Sequence, residues 1–180
     1  MANVVLHYLS VENIKKLLTD AGVVSSRTMH GRRGREVHCQ NVLDMKKCCA
    51  SEWAKDEAKA IEYGVVDFSK QNETGRYGVR RDLTEEEIED LHFWPITFQS
   101  DDVMVWECCW KENIDPAFFI SKLFPDMDFH LEMYYEGTLD GAYTGKDGNF
   151  VATEAWKTHV ESKRKKDVKP SEDFVADIPF

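Results

Sequence analysis

The sequence predicts an α+β fold, a split β-α-β arrangement in which helices cover one face of an antiparallel sheet. Three observations predict it. A short apolar run, Val4 to Leu9, leads at once into residues at helical spacing. Two later segments, one from Val103 and one from Phe129, alternate with a period of two. Between them, Asp115–Pro116 opens a phenylalanine-rich helical segment.

Taken in order, Val4 to Leu9 is a candidate strand and Ser10 a candidate N-cap. Val11, Ile14, Leu17, Leu18 and Ala21 follow at helical spacing, and Gly22 supplies the stop. Val23 to Gln40 is polar, contains glycine and is rich in arginine, which predicts a loop or an exposed hairpin. A long helix is predicted from about Asn41 to Tyr63, with Val42, Met45, Cys49, Trp53 and Ile61 as its apolar stripe and Gly64 as its end. Val65 to Phe68 suits a short strand, and Ser69 to Asp82, with Gly75 and Gly78, reads as a loop.

Thr84 and Glu87 stand three apart as a capping box, so a short acidic helix runs from Glu85 to Leu91. Trp94 to Phe98 is strand-like, with Pro95 suited to an edge. In Val103 to Trp110, Met104, Trp106, Cys108 and Trp110 share one face. The helix through Phe118, Phe119 and Leu123 stops before Pro125. Phe129, Leu131, Met133 and Tyr135 then form one face of another strand, Leu139 to Thr144 pairs back, and Asp147–Gly148 is a turn. Residues 1–150 are read as one domain with a helical insertion at about 41–63. Residues 151–180 are read as a C-terminal helix, Thr153 to Lys166, and a tail whose Phe174, Val175, Ile178 and Phe180 dock on the body.

Composition bounds the function. The 180 residues include 42% hydrophobic and 12% aromatic side chains, enough for a sizeable core. No apolar stretch approaches the roughly 20 residues of a membrane span, and Met1 to Leu9 lacks the basic and long apolar regions of a signal peptide. Five cysteines, Cys39, Cys48, Cys49, Cys108 and Cys109, give an odd count that suits reduced thiols and a cytosolic location. The net charge is −10, which opposes simple binding to nucleic acid or an anionic membrane. The charge is uneven: between Asp82 and Asp140, 16 acids face two lysines, a local net of −14, so the rest of the chain carries +4.

The stretch VMVWECCWKENIDPAFFISKLFPDMDFHLEMYYEGTLDGAYTGKDG, Val103 to Gly148, holds a more specific pattern. A strand ends in tryptophan, an acid-proline pair starts a phenylalanine-rich helix, Leu-Phe-Pro stops it, and a strand runs into Tyr-Glu-Gly. This resembles the YubB-like, or Api92-like, ferredoxin-like domain of phages and plasmids, over about a quarter of the chain. The Asn-Trp-Gly-Thr-Lys-Trp segment of that family has no counterpart here, His92–Phe93–Trp94–Pro95 being the nearest feature. The resemblance implies a ferredoxin-like fold and a mobile-element origin, and it supplies no catalytic residues.

Motifs for chemistry are few. Cys39, Cys48, Cys49, Cys108, Cys109, His30 and His38 show no C-x-x-C or H-x-x-x-H spacing, so no metal site is expected. There is no G-x-S-x-G elbow for a nucleophile. Gly31-Arg-Arg-Gly34 and Gly75-Arg-Tyr-Gly78 match neither a P-loop nor a dinucleotide fingerprint. No catalytic residue, cofactor or small-molecule ligand is therefore expected.

What remains is charge. Glu85, Glu86, Glu87, Glu89, Asp90, Asp101, Asp102, Glu107, Asp126 and Asp128 are the candidate partner-binding residues, as a solvating surface or as an anionic face that imitates a phosphate backbone. The leading expectation is a phage- or mobile-element-encoded, non-enzymatic inhibitor, an anti-CRISPR protein, that blocks a nucleic-acid-binding defence protein such as a CRISPR effector in the host cytosol. The alternative is a nucleic-acid-binding accessory module using Arg27, Arg32, Arg33 and Arg35 with Arg76, Arg80 and Arg81.

Overall fold

The computed structural model of the protein describes residues 4–31, 35–109 and 113–167. The elements are β1 (Val4–Ser10), α1 (Ile14–Asp20), β2 (Val24–Gly31), β3 (Arg35–Asp44), α2 (Met45–Cys48), α3 (Ala50–Tyr63), β4 (Val65–Gln71), β5 (Tyr77–Arg81), α4 (Glu85–Asp90), β6 (Phe93–Pro95), β7 (Thr97–Ser100), β8 (Val103–Cys109), α5 (Asp115–Leu123), β9 (Phe129–Tyr135), β10 (Thr138–Lys146), β11 (Asn149–Ala152) and α6 (Glu154–Asp167). The protein is α+β, and the strand pairings of its main sheet are antiparallel.

That main sheet has six strands in the order β11-β10-β9-β1-β8-β7. The period-two pattern read from the sequence sets which face is buried. On β1, Val5, His7 and Leu9 turn inward; on β8, Met104 and Trp106; on β9, Phe129, Leu131 and Met133. These join Ile14 and Leu18 of α1 and Ala117, Phe119 and Ile120 of α5 in one core. Full burial of each large aliphatic or phenyl side chain contributes about 1.5–3 kcal/mol, so the central strands and these two helices carry most of the stability.

His7 is a polar side chain among these core residues, with no exposed surface. Its ring stacks on Trp106 with centroids 5.0 Å apart. The backbone N–H of Asn113 donates to His7 Nε2 at 3.1 Å, while the Trp106 indole N–H donates to the Asn113 carbonyl at 3.0 Å. Both rings thus hold the backbone just before α5. A ring nitrogen that accepts a hydrogen bond is unprotonated, and burial agrees by pushing the His7 pKa below the ordinary 6.5.

Residues 24–95 intervene between α1 and β7 and build two smaller sheets, β2-β3-β6 and β4-β5. Here the sequence reading needs correction. The helix expected over 41–63 begins later: Asn41 to Asp44 is the end of β3, where Val42 pairs with both Ser25 and Pro95. Asp44 then caps the single turn of α2 by accepting from the Lys47 N–H at 3.0 Å. The chain breaks at Cys49, extended at φ −156°, before α3 begins. Along α3 Trp53 is buried, but Ile61, assigned to the same stripe, is exposed.

The loop expected over 69–82 is largely the β4–β5 hairpin. The strand expected over 94–98 is two strands, β6 and β7, which break at Ile96 and join different sheets. Ser10 does not cap α1. The helix starts at Ile14 after Asn13, left-handed at φ 57°, and the β7–β8 turn secures it: Asp102 accepts the Asn13 N–H on its carboxylate at 2.6 Å and the Val11 N–H on its carbonyl at 3.1 Å.

The C-terminal helix is present as α6; the expected docking of Phe174, Val175, Ile178 and Phe180, and the inward place of Trp110, lie outside the described residues. Among the described residues no helix is long and apolar enough to cross a membrane.

Candidate functional site

The carboxylates singled out from the sequence fall into three groups. Glu85, Glu86, Glu87, Glu89 and Asp90 form α4, which packs on β2. Asp101, Asp102, Asp126 and Asp128 gather at one end of the main sheet, because β1, β8 and β9 pair with Ser10 opposite both Val103 and His130. Neighbouring strands are about 4.8 Å apart, so the turns before β8 and before β9 lie roughly 10 Å from each other across β1. Glu107 stands apart, four residues along β8 from Val103, about 13 Å at the usual rise per residue.

The α4 group is partly neutralised from within the chain. Arg81 donates to both carboxylate oxygens of Glu87, each at 2.6 Å. Arg27 donates to Asp90 at 2.7 Å and reaches Glu89 at 3.4 Å. The capping box is formed: the Glu87 N–H donates to the Thr84 hydroxyl and the Thr84 N–H to the Glu87 carboxylate. These bonds, led by the Arg81 guanidinium, hold the Glu87 carboxyl well below its ordinary 4.5, at about 2.

A pH dependence follows. The unfolded chain takes up a proton on Glu87 near 4.5 while the folded chain refuses it until about 2. The stabilisation is complete above 4.5 and is lost as pH falls from there toward about 2. Protection of the α4 amide hydrogens, taken relative to the intrinsic exchange rate at each pH, is expected to fall over that window in the wild type, and the Arg81→Gln variant is expected to lack most of this acid-dependent change.

The arginines of the alternative reading are divided in the same way. Arg27 and Arg81 are taken by carboxylates, and the Arg27 guanidinium also lies 3.9 Å over the Phe93 ring. Arg32 and Arg33 lie outside the described residues, and Arg35 stands first in β3. Arg76 and Arg80 are exposed on the β4–β5 hairpin.

The sheet-end acids are freer. Asp101 faces Lys15 at 3.7 Å, both well exposed, and an exposed pair of this kind contributes little. Asp126 and Asp128 are exposed in the α5–β9 turn and have no ionic partner among the described residues.

A cavity of about 570 Å³ lies on the open face of the main sheet. Thr97, Val105 and Tyr8 are cross-strand neighbours in a row over β7, β8 and β1, and Gln99 and Glu107 extend the row. The β6–β7 segment, Phe93 to Ile96, walls the other side. Among the described lining residues Glu107 is the single charged side chain. Beyond Tyr8, the ring of Tyr134 meets it edge-on at 5.3 Å.

Of the ten acids, the pocket uses one. The residues that make it a pocket, Tyr8, Phe93, Trp94 and Val105, were not among the sequence candidates. The signal that pointed there was the aromatic run His92–Phe93–Trp94–Pro95, read only as a cluster.

The thiols are unactivated where a shift is resolved. Burial pushes Cys48 up to about 12 and Cys108 up to about 11, which keeps both protonated near neutrality. All five cysteines are free, and among the described residues no three His, Cys, Asp or Glu side chains converge as a metal ion requires. In comparisons with known proteins, the chain matches no family model, no curated protein and no solved structure.

Proposed function

We propose that this chain is a non-catalytic binding protein that recognises a cationic surface on another protein, and that the pocket beside β6 and β7 receives a lysine or arginine side chain of that partner. The observation that carries this reading is the pocket's make-up: aromatic and aliphatic walls with Glu107 as the charged group among its described lining residues. A basic side chain packs its stem or guanidinium plane on such walls while its charge meets the carboxylate. The chain itself holds the same arrangement next door, with Arg27 over Phe93 and against Asp90. The sheet-end aspartates add a negative field that speeds encounter and weakens with salt.

The strand order β9-β1-β8-β7, with α5 joining β8 to β9 and α1 following β1, supports a ferredoxin-like core with an insertion at 24–95 and an extension from β10 to α6. With the Val103–Gly148 pattern, this order supports kinship with the YubB-like or Api92-like domains and a mobile-element protein acting in the host cytosol. On that reading the partner is a nucleic-acid-handling defence protein, a CRISPR effector for example, and the carboxylates occupy the basic surface that guide or target nucleic acid would use.

The test is capture of the partner from host lysate, its identification by mass spectrometry, and its affinity for purified variants. Glu107→Gln is expected to weaken binding by at least about thirtyfold, because removing one member of a buried interfacial charge pair costs about 2–5 kcal/mol. Asp126→Asn with Asp128→Asn is expected to slow association and flatten its salt dependence. A captured protein without a basic surface, or an affinity indifferent to Glu107→Gln, overturns the reading.

A further inference from the structure

Five of the eight large hydrophobic side chains exposed among the described residues fall within one stretch of chain, residues 61–77: Ile61, Tyr63, Val66, Phe68 and Tyr77. They belong to the end of α3 and to the β4–β5 hairpin, a two-stranded sheet of its own. A lone hairpin is marginally stable in water, and turning its aromatic rings outward forgoes the burial that would help it. Phe68 is 66% and Tyr77 69% exposed. A concentrated patch of this kind marks a contact surface.

The chemistry around the rings narrows the occupant. Val66 pairs with Arg80 across the hairpin. Gly78, at φ +112°, lies beside them, and a Cβ there would sit 3.0 Å from Val66 and 3.6 Å from the Phe68 ring, so its bare backbone leaves a flat shelf against Phe68. The Arg80 guanidinium lies 5.8 Å over the Tyr63 ring. Arg76 adjoins Tyr77, on a turn whose Asn72 side chain accepts the Arg76 N–H at 2.9 Å. Neither Arg76 nor Arg80 has a carboxylate partner among the described residues, unlike Arg27 and Arg81. Residues 65–81 carry Lys70, Arg76, Arg80 and Arg81 against Asp67 and Glu73, a net of +2 in a chain of −10.

We infer that the β4–β5 hairpin is a stacking platform for single-stranded nucleic acid. Unstacked bases lie on Phe68 and Tyr77, and Arg76 and Arg80 meet the phosphates on either side. A paired duplex presents no free base faces to a protruding hairpin. A second copy across a two-fold axis would set the same unpaired arginines near one another, and like charges so placed oppose association. The platform is independent of the Glu107 pocket and gives the chain two sites of opposite sign, suited to a complex of protein and nucleic acid.

The experiment is fluorescence anisotropy of labelled oligothymidylate, oligouridylate and a duplex with the full chain at low and moderate salt, with light scattering alongside. Both single strands, or one of them, are expected to bind more tightly than the duplex, with affinity falling as salt rises. Phe68→Ala and Tyr77→Ala are each expected to weaken binding by about tenfold, the loss of one base stack. Arg76→Gln with Arg80→Gln is expected to flatten the salt dependence, and because these side chains are exposed, circular dichroism of every variant should match the wild type. No anisotropy change at low salt, binding unaffected by all four substitutions, or a dimer that Phe68→Ala abolishes would each overturn the inference.

Discussion

Trp106→Ala is expected to lower the unfolding free energy by about 3–5 kcal/mol, the range for removing a buried large aromatic side chain. The indole is 1% exposed and belongs to the core at the middle of β8. It does more than fill space. It stacks on His7 and donates to the Asn113 carbonyl, so its loss opens a cavity, leaves that carbonyl without its donor and uncovers a histidine. Equilibrium urea unfolding measures the loss, and a change under about 1 kcal/mol would contradict a packed site of this kind.

The same variant tests the titration of His7. In the wild type, burial lowers the folded-state pKa, so the stability attached to it is present above 6.5 and declines as pH falls through the lowered value. Removing the indole admits water and brings the folded pKa back toward 6.5. The decline in stability as pH falls below 6.5 is therefore expected to shrink in Trp106→Ala relative to the wild type.

Gly64→Ala is expected to release the β4–β5 hairpin from α3. Gly64 sits at φ 60° and ψ −161°, a conformation essentially closed to residues with a side chain, which alone costs about 1–3 kcal/mol. A Cβ there would also collide with the Arg81 carbonyl oxygen, a backbone atom that cannot swing aside. Arg81 in turn holds Glu87, so the strain reaches α4. Because the hairpin forms a separate sheet, the damage is expected to be local. Hydrogen exchange over 65–81 should lose its protection and proteolysis should begin beside Tyr63 or Phe68, while the main-sheet amides stay protected. Unchanged protection over 65–81 would show that this close approach does not exist.

Where the sequence was legible, the signal was local. The alternation in Val103–Cys109 and Phe129–Tyr135 named their buried faces, because a strand's side chains reverse at every residue whatever lies above them. Thr84 and Glu87 announced a capping box whose partners are three residues apart, and Asp147–Gly148 announced the turn between β10 and β11. Each of these depends on neighbours in the chain.

Where the sequence misled, distant partners decided. Val42 suits a helix stripe, but it is held in β3 by its pairing with β2 and β6. The carboxylates of α4 read as one acidic run, yet Arg27, 63 positions before Asp90, takes two of them and Arg81 a third. The composition set the sign and the amount of charge. Folding set which charges remain free, because ion pairing depends on distance in space, and the chain order does not fix that distance.

The pocket is the fullest case: Tyr8, Phe93 and Glu107 come from β1, β6 and β8 and meet only once the main sheet and the β2-β3-β6 sheet are both in place. By itself the sequence determined an acidic α+β chain with these alternating strands. The tertiary structure alone decided that Glu107 faces an aromatic cleft while Glu87 is locked to Arg81, since a side chain's partner is whatever packing brings within reach.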